Sequence, residues 1–367
     1  MVPEGRSFVG STSHHESLAS RSGSDHRDEA GSLTMMPELW QPLMGMAWRK
    51  QGDFQAESSK KRGGLPRPGR NGIDRSMEAY RPRRSVLYVP AVNEKALFKI
   101  PSLACDAVIV DLEDAVAPAE KAAARDRLQQ LFVARPARET VIRINALSGE
   151  WGADDLRLAA DLRPEGILLP KIETPRDILD AADALAAIDG AEEIKLWAMV
   201  ETPRALTHLG AISELGREPA SRLVCLVAGT NDLVKETGVL AKPDRRYLIP
   251  WLMQMVLAAR AGRLDILDGV SNDFRDLEAF EAECREAAAM GFDGKTLIHP
   301  AQIAPANAAF SPSAAAVAEA RSIVAAFANS ENAGKGVISL DGRMVERLHL
   351  EQAERLLAKA GTTGARP

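Results

Sequence analysis

The chain has 367 residues, 46% of them apolar and 26% charged, with a formal net charge of −5. That length can bury the core of one large domain or two smaller ones, and an acidic balance without a long basic stripe excludes a nucleic-acid-binding domain. Three widely spaced cysteines, Cys105, Cys225 and Cys284, exclude a disulfide framework and a CxxC metal site and agree with a reducing compartment.

Residues 1–80 are rich in Ser, Gly, Arg and His, lack apolar periodicity and carry both charge signs, a composition unable to bury enough surface to fold. They are expected to be a disordered, dispensable extension. The most apolar part, Leu39 to Trp48, comes late and is interrupted by Pro42, unlike a secretory signal, and Glu4, Glu16, Asp25, Asp28 and Glu29 do not suit a transit peptide. Nothing approaches the roughly 18 consecutive apolar residues of a spanning helix. No membrane partner is expected, and the location is read as cytoplasmic.

After Arg83, short apolar β-branched runs alternate with Ala/Leu/Arg/Glu-rich helical stretches, the pattern of repeated βα units around a parallel sheet. The predicted strands are Val86–Pro90, Ala107–Asp114, Thr140–Asn145, Gly166–Lys171, Lys195–Thr202, Leu223–Gly229, Leu264–Val270 and Lys295–Pro300. Eight such units predict a (β/α)8 barrel over residues 81–311. A doubly wound sheet shares the alternation, but no GxGxxG follows the first strand. Residues 312–367 read as a C-terminal helical lid: a helix Ala314–Ala328, an extended piece near Val337–Leu340, and an amphipathic helix Val345–Lys359.

Nearly every predicted strand ends in a polar group: Tyr88, Asp111 with Glu113 and Asp114, Arg143 with Asn145, Lys171, Glu201 with Thr202, Gly229 leading to Asp232, Asp268, and His299. Barrel active sites sit at those C-terminal ends, and buried charges must be paired or metal-bound. Asp111, Glu113, Asp114, Glu201 and Asp232 face only Arg143 and Lys171 as cations, so an oxygen-ligated divalent ion, Mg²⁺ or Mn²⁺, is expected there; an internal ion-pair network is the alternative. On the first barrel helix Lys95 and Lys99 lie four apart on one face, placed either to meet phosphates or to form a solvated surface. A lone strand-end histidine such as His299 serves equally well as a packing residue.

Taken together, R-S-V-L-Y-V-P at 84–90, D-L-E-D-A-V at 111–116, V-I-R-I-N at 141–145, L-L-P-K at 168–171, V-E-T at 200–202, G-T-N-D-L at 229–233 and G-K-T-L-I-H-P-A-Q at 294–302 resemble the HpcH/HpaI aldolase and citrate lyase β family. The resemblance runs from about Arg83 to Leu357 and is strongest to the citramalyl-CoA and malyl-CoA lyases, through N-E-K, K-I-P-S-L and D-F-R-D at 273–276. It implies Glu201 and Asp232 as ligands of Mg²⁺, and Arg143 as the group that stabilises a thioester enolate. Tyr88, Lys95, Lys99, Ile298 and His299 are implied as substrate and CoA contacts. Glu113 and Asp114 would orient metal-bound water, with helix capping as the alternative for both.

Two positions depart from the family pattern. Ala91 stands where a glycine usually follows the first strand's proline, and Glu346, in Asp341-Gly342-Arg343-Met344-Val345-Glu346, stands where the lid carries a catalytic aspartate that serves the neighbouring subunit. Glutamate can move the same proton on a longer arm, though acidic residues also favour helix starts. The resemblance therefore implies a Mg²⁺-dependent CoA-ester lyase that splits citramalyl-CoA or malyl-CoA into acetyl-CoA and a 2-oxo acid, working as a homotrimer with lids exchanged between subunits. Its alternatives are a citrate lyase β subunit acting on an acyl-carrier protein, a malyl-CoA thioesterase, and a CoA-ester-binding homologue without turnover.

Overall fold

The computed structural model describes residues 81–133 and 138–363. All belong to the second of the chain's two units, residues 73–367, and the extension expected over 1–80 lies outside the described residues. The strands are β1 (Ser85–Pro90), β2 (Ala107–Asp111), β3 (Glu139–Arg143), β4 (Gly166–Leu169), β5 (Lys195–Val200), β6 (Leu223–Ala228), β7 (Asp265–Asp268) and β8 (Gly294–Leu297). They run parallel, pair in chain order, and close when β8 pairs with β1. Closure makes this the (β/α)8 barrel and removes the doubly wound alternative.

Around the barrel lie α1 (Glu94–Lys99), α2 (Lys121–Phe132), α3 (Gly152–Leu162), α4 (Pro175–Ala186), α5 (Pro203–Thr207), α6 (Leu209–Glu214), α7 (Thr230–Thr237), α8 (Ile249–Gly262), α9 (Leu277–Met290) and α10 (Ile303–Ala309). Their starts are written in the sequence. Thr174 and Asp177 form a capping box ahead of Pro175, and Thr202 accepts a hydrogen bond from the Ala205 N–H ahead of Pro203. Each strand begins within one residue of its predicted start, but all except β1 end one to three residues early. The overrun residues include the charged Glu113, Asp114, Lys171 and Glu201, which follow the strand ends at the barrel mouth.

Strand alternation positions the site, because residues two apart share a face. Inside the barrel, Ala107 and Ile109 lie below Asp111, Val141 below Arg143, and Trp197 and Met199 below Glu201; the apolar members form one buried interior cluster with Val86, Leu168, Cys225, Val227 and Leu267. The other strand faces pack against the helices in a second, larger core. At the N-terminal end the Arg83 guanidinium lies 4.8 Å above the Trp197 ring and is paired with Glu139 and Asp265, which closes the barrel floor. Charge thus sits at both ends of the barrel, with an apolar plug between them.

After the barrel come α11 (Ala314–Ala328), a hairpin of β9 (Val337–Leu340) and β10 (Arg343–Glu346), and α12 (Arg347–Thr363). The last helix was expected to begin at Val345, yet residues 343–346 are a strand. Asp341 and Gly342 both have positive φ, 51° and 76°, as a tight Asp-Gly hairpin turn requires, and the turn returns the chain onto β9. Lys359 on α12 bonds Asp293 at 2.8 Å, which ties the lid's end to the barrel. Among the described residues no helix is long and apolar enough to cross a membrane.

Candidate active site

A cavity of about 370 Å³ opens at the C-terminal ends of the strands. Tyr88, Asp111, Asp114, Arg143, Glu201, Asp232 and Ile298 line it, together with Met199, Gly229, Thr230, Asn231, Asn272 and Thr296. Seven strand-end residues from six different βα units thus meet in one place, which is what convergence on a barrel mouth requires.

The acids do not form one cluster. Asp111 takes the Arg143 guanidinium side-on, Nε to Oδ1 at 2.7 Å and Nη2 to Oδ2 at 2.6 Å. The third nitrogen, Nη1, lies 2.9 Å from Glu113 Oε2 and 3.6 Å from Asp114 Oδ2. The Tyr88 ring stacks on the guanidinium at 4.9 Å. Burial opposes the charge on Arg143, but the Asp111 bond and the surrounding acids raise its pKa well above the ordinary value. Burial likewise pushes the Tyr88 phenol up, so both groups keep their protons throughout the working pH range.

The second group gathers on Lys171. Its Nζ lies 2.5 Å from Asp232 Oδ2, 3.4 Å from Glu113 Oε1, 3.6 Å from Glu201 Oε1 and 4.0 Å from Asp114 Oδ2. Glu201 is almost fully buried, and burial pushes its carboxyl up, with Lys171 offsetting part of the effect. Burial acts the same way on Asp232, but there the Lys171 bond and charge win and hold the carboxyl below its usual range. Burial, opposed by Arg143 and then reinforced by Asp114 and Glu201, raises Glu113 to about 7. Glu113 Oε2 is buried without a hydrogen-bond partner, since its approach to Arg143 is an ion pair lacking bond geometry.

Among the described residues no three of His, Cys, Asp and Glu stand close enough together to enclose a metal. A site with two protein carboxylates, completed by water and ligand oxygens, remains consistent with that spacing. Glu201 and Asp232 fit Mg²⁺ on two observations. A cationic ammonium already sits between their oxygens, and the backbone opposite is a glycine because a Cβ on Gly229 would lie 2.3 Å from Glu201 Cβ and 2.7 Å from its Oε2.

Several positioning residues were not legible as such. Lys121, at the start of an Ala-rich helix, reads as solvated surface, yet it is buried and its Nζ donates to Leu112 O, Glu113 O and Asn145 Oδ1 at 2.7, 2.8 and 2.8 Å. It thereby holds the loop that carries Glu113 and Asp114. Asn145, expected at the mouth, instead bonds Leu112 O and Asp155 beneath that loop. Asn231 and Asn272 exchange two amide hydrogen bonds across the cavity wall, at 3.2 and 2.9 Å. No spacing rule joins residues 41 apart.

Other expected groups stand elsewhere. Asp268 is buried away from the cavity, bound by Arg245 and by Lys295 at 2.6 Å. The His299 ring stacks on Phe274 at 4.6 Å, and its Nδ1 accepts from the Ala301 N–H, so it acts as cap and packing group while its neighbour Ile298, 40% exposed, faces the cavity. Lys95 and Lys99 are exposed on α1 and do not line the cavity. Ala91 is buried, its N–H continuing the ladder to Asp111 O at 3.0 Å. Glu346 ends β10, where its N–H donates to His349 Nδ1 at 3.0 Å, and among the described residues no lid residue lines this chain's own cavity.

The HpcH/HpaI aldolase/citrate lyase family model matches residues 84–300. A (3S)-malyl-CoA thioesterase of Cereibacter sphaeroides is 45% identical over 286 residues, covering 77% of this chain and 96% of that protein. The mitochondrial citramalyl-CoA lyase of Rattus norvegicus is 34% identical over 306 residues, 80% of this chain and 90% of the lyase. Among solved structures, protein CitE of Mycobacterium tuberculosis in complex with magnesium, acetoacetate and coenzyme A superposes with a TM-score of 0.61 at 32% identity, covering 76% of this chain and 97% of that one.

Proposed function

The chain belongs to the HpcH/HpaI aldolase/citrate lyase family, and on that premise we propose that it is a magnesium-dependent CoA-ester lyase that cleaves malyl-CoA or citramalyl-CoA to acetyl-CoA and a 2-oxo acid. The observation that carries this reading is the pairing, in one cavity, of a two-carboxylate cation site with a fully braced arginine. Glu201 and Asp232 would hold Mg²⁺, which when bound supplies Lewis-acid polarisation of the substrate's hydroxyl and carboxylate oxygens. Manganese suits the same oxygen donors.

In the lyase reaction the hydroxyl proton is lost, the carbon–carbon bond breaks, and its electron pair passes to the thioester as an enolate, which takes up a proton to become acetyl-CoA. Arg143 meets the negative charge on the thioester oxygen: Asp111 fixes two of its nitrogens and Glu113 lies 2.9 Å from the third, so the guanidinium is held at the cavity wall and little reorganisation accompanies the step. Tyr88 covers one face of the guanidinium and keeps water from it. Glu346 of the partner subunit would protonate the enolate, since this chain's own Glu346 does not line its own cavity. That arrangement needs a homo-oligomer, a trimer by family resemblance. Lys95, Lys99, Ile298 and His299 are proposed to receive the CoA portion at the rim, and a cytoplasmic location fits the three free, buried thiols.

Hydrolysis is the second reading, favoured by the higher identity to the thioesterase, 45% against 34%. There water attacks the thioester carbonyl in the same cavity, and CoA leaves with malate. Incubating the protein with malyl-CoA and citramalyl-CoA, with and without Mg²⁺, separates the two. Metal-dependent 2-oxo acid and acetyl-CoA establish the lyase; free CoA and malate without carbon–carbon cleavage replace it with the thioesterase.

A further inference from the structure

Lys171 follows β4 and Pro170 in the left-handed region, at φ 51°, a conformation a non-glycine residue adopts at some cost. The turn aims both ends of the residue at one acid. Its backbone N–H donates to Glu201 Oε1 at 2.6 Å, and its ammonium stands 3.6 Å from the same oxygen. The ammonium's shortest contact is to Asp232 at 2.5 Å, with Glu113 and Asp114 within 4.0 Å. Four carboxylates thus share one flexible cation, and two of them are the residues assigned to the metal.

A buried carboxylate such as Glu201 needs a countercharge nearby. Arg143 acts on Glu201 only from a distance, its guanidinium being bonded to Asp111 and ion-paired with Glu113, whereas the Lys171 ammonium stands 3.6 Å from it. We propose that Lys171 is the tethered counter-cation of the metal-free site, occupying the place a divalent ion takes and withdrawing when that ion binds. The four-carbon stem permits this, and Asp114, whose side chain is 62% exposed, offers a partner at the rim. Lys171 is then a positioning residue: it holds Glu201 and Asp232 against one cation when no ion is bound, and it lowers metal affinity by competition. This rests on the assignment of Glu201 and Asp232 as metal ligands.

The test compares wild type with Lys171→Met and Lys171→Arg, using Mg²⁺ binding by calorimetry and thermal melts with EDTA or saturating Mg²⁺. Lys171→Met should bind Mg²⁺ about tenfold more tightly, melt lower than wild type in EDTA, and regain most of the difference in Mg²⁺; Lys171→Arg should resemble wild type. Equal or weaker Mg²⁺ binding by Lys171→Met would overturn the proposal. Absence of binding by both proteins would instead overturn the metal assignment, and the competition with it. Wild type alone gives a check that does not need the variant to fold: acetic anhydride should label Lys171 several-fold faster, read by peptide mass spectrometry, when Mg²⁺ is present. Unchanged labelling at a Mg²⁺ concentration that saturates the calorimetric signal is also incompatible with withdrawal.

Discussion

Asp111 and Arg143 are register partners on β2 and β3, and their side chains meet inside the barrel through two parallel bonds of 2.7 and 2.6 Å. Because the partners stand at the same height on adjacent strands, the fork is set by the sheet itself. The arginine is thereby held in one orientation, its third nitrogen lying against Glu113 at the cavity wall.

Asp111→Asn keeps the shape of that partner and removes its charge. The expected result is a fall in kcat of about 100-fold with a much smaller change in KM, because the lost orientation is felt as charge develops on the thioester oxygen. Arg143→Lys should fare no better, since an ammonium cannot make the fork. Steady-state kinetics on both variants check this, and a kcat for Asp111→Asn within twofold of wild type would show that the brace does nothing for catalysis.

Glu201→Ala should abolish metal-dependent turnover. Gly229→Ala offers a subtler version, since its new Cβ would fall 2.3 Å from Glu201 Cβ and must push that side chain aside. The expected phenotype is a folded protein whose Mg²⁺ affinity drops by at least about tenfold, at the scale of a disturbed metal-supporting residue. Circular dichroism with Mg²⁺ titration measures both; unaltered affinity in Gly229→Ala would mean that Glu201 is not a ligand.

Glu113 gives the metal-free protein a distinctive pH response. Its folded pKa, raised to about 7 chiefly by burial, exceeds the unfolded value of about 4.3, so over that window the folded state holds the extra proton. Stability from this group is full below the unfolded pKa and is lost as pH rises through 7, up to about 4 kcal/mol in all. In EDTA, Glu113→Gln should therefore gain on wild type between pH 4.5 and 7.5, judged by urea melts at each pH. Parallel stability curves for the two proteins would contradict the raised pKa.

The barrel was legible because short apolar β-branched runs recur eight times between helical stretches, as strands buried on both faces of a parallel sheet require. Strand ends were overread because Glu113, Lys171 and Glu201 continue the apolar runs in sequence while their backbones already turn into the mouth. Most cavity residues were visible as strand-end polar groups. Their partners were not: Lys121 looks like surface until the loop above it presents two carbonyls and Asn145 a third acceptor, and Asp268 looks like a mouth acid until Lys295 and Arg245 claim it from the helix side. Such pairings depend on which face a side chain takes beyond the strand, which no local pattern encodes. The Asp341-Gly342 turn is different, since its hairpin signal lies in the sequence and outweighs the helical pattern that follows it.

Glu346 carries the prediction that depends most on assembly. It ends β10 on the lid, outside its own chain's cavity, so a catalytic role requires that a lid from one subunit cover the site of another. Arg143→Ala leaves a lid intact but spoils the site beneath the neighbouring lid, while Glu346→Gln does the reverse. Each variant alone should be nearly inactive. Co-expressed in equal amounts and assembled at random, they should regain about a quarter of wild-type activity, because half of the sites carry Arg143 and half of those meet a lid bearing Glu346. Recovery depends on mixed assembly and should vanish when separately purified variants are mixed without subunit exchange. If the co-expressed pair stays as inactive as either parent while mass spectrometry shows mixed oligomers, Glu346 does not act across the interface; if Glu346→Gln alone keeps wild-type activity, it is an ordinary glutamate at the end of a strand.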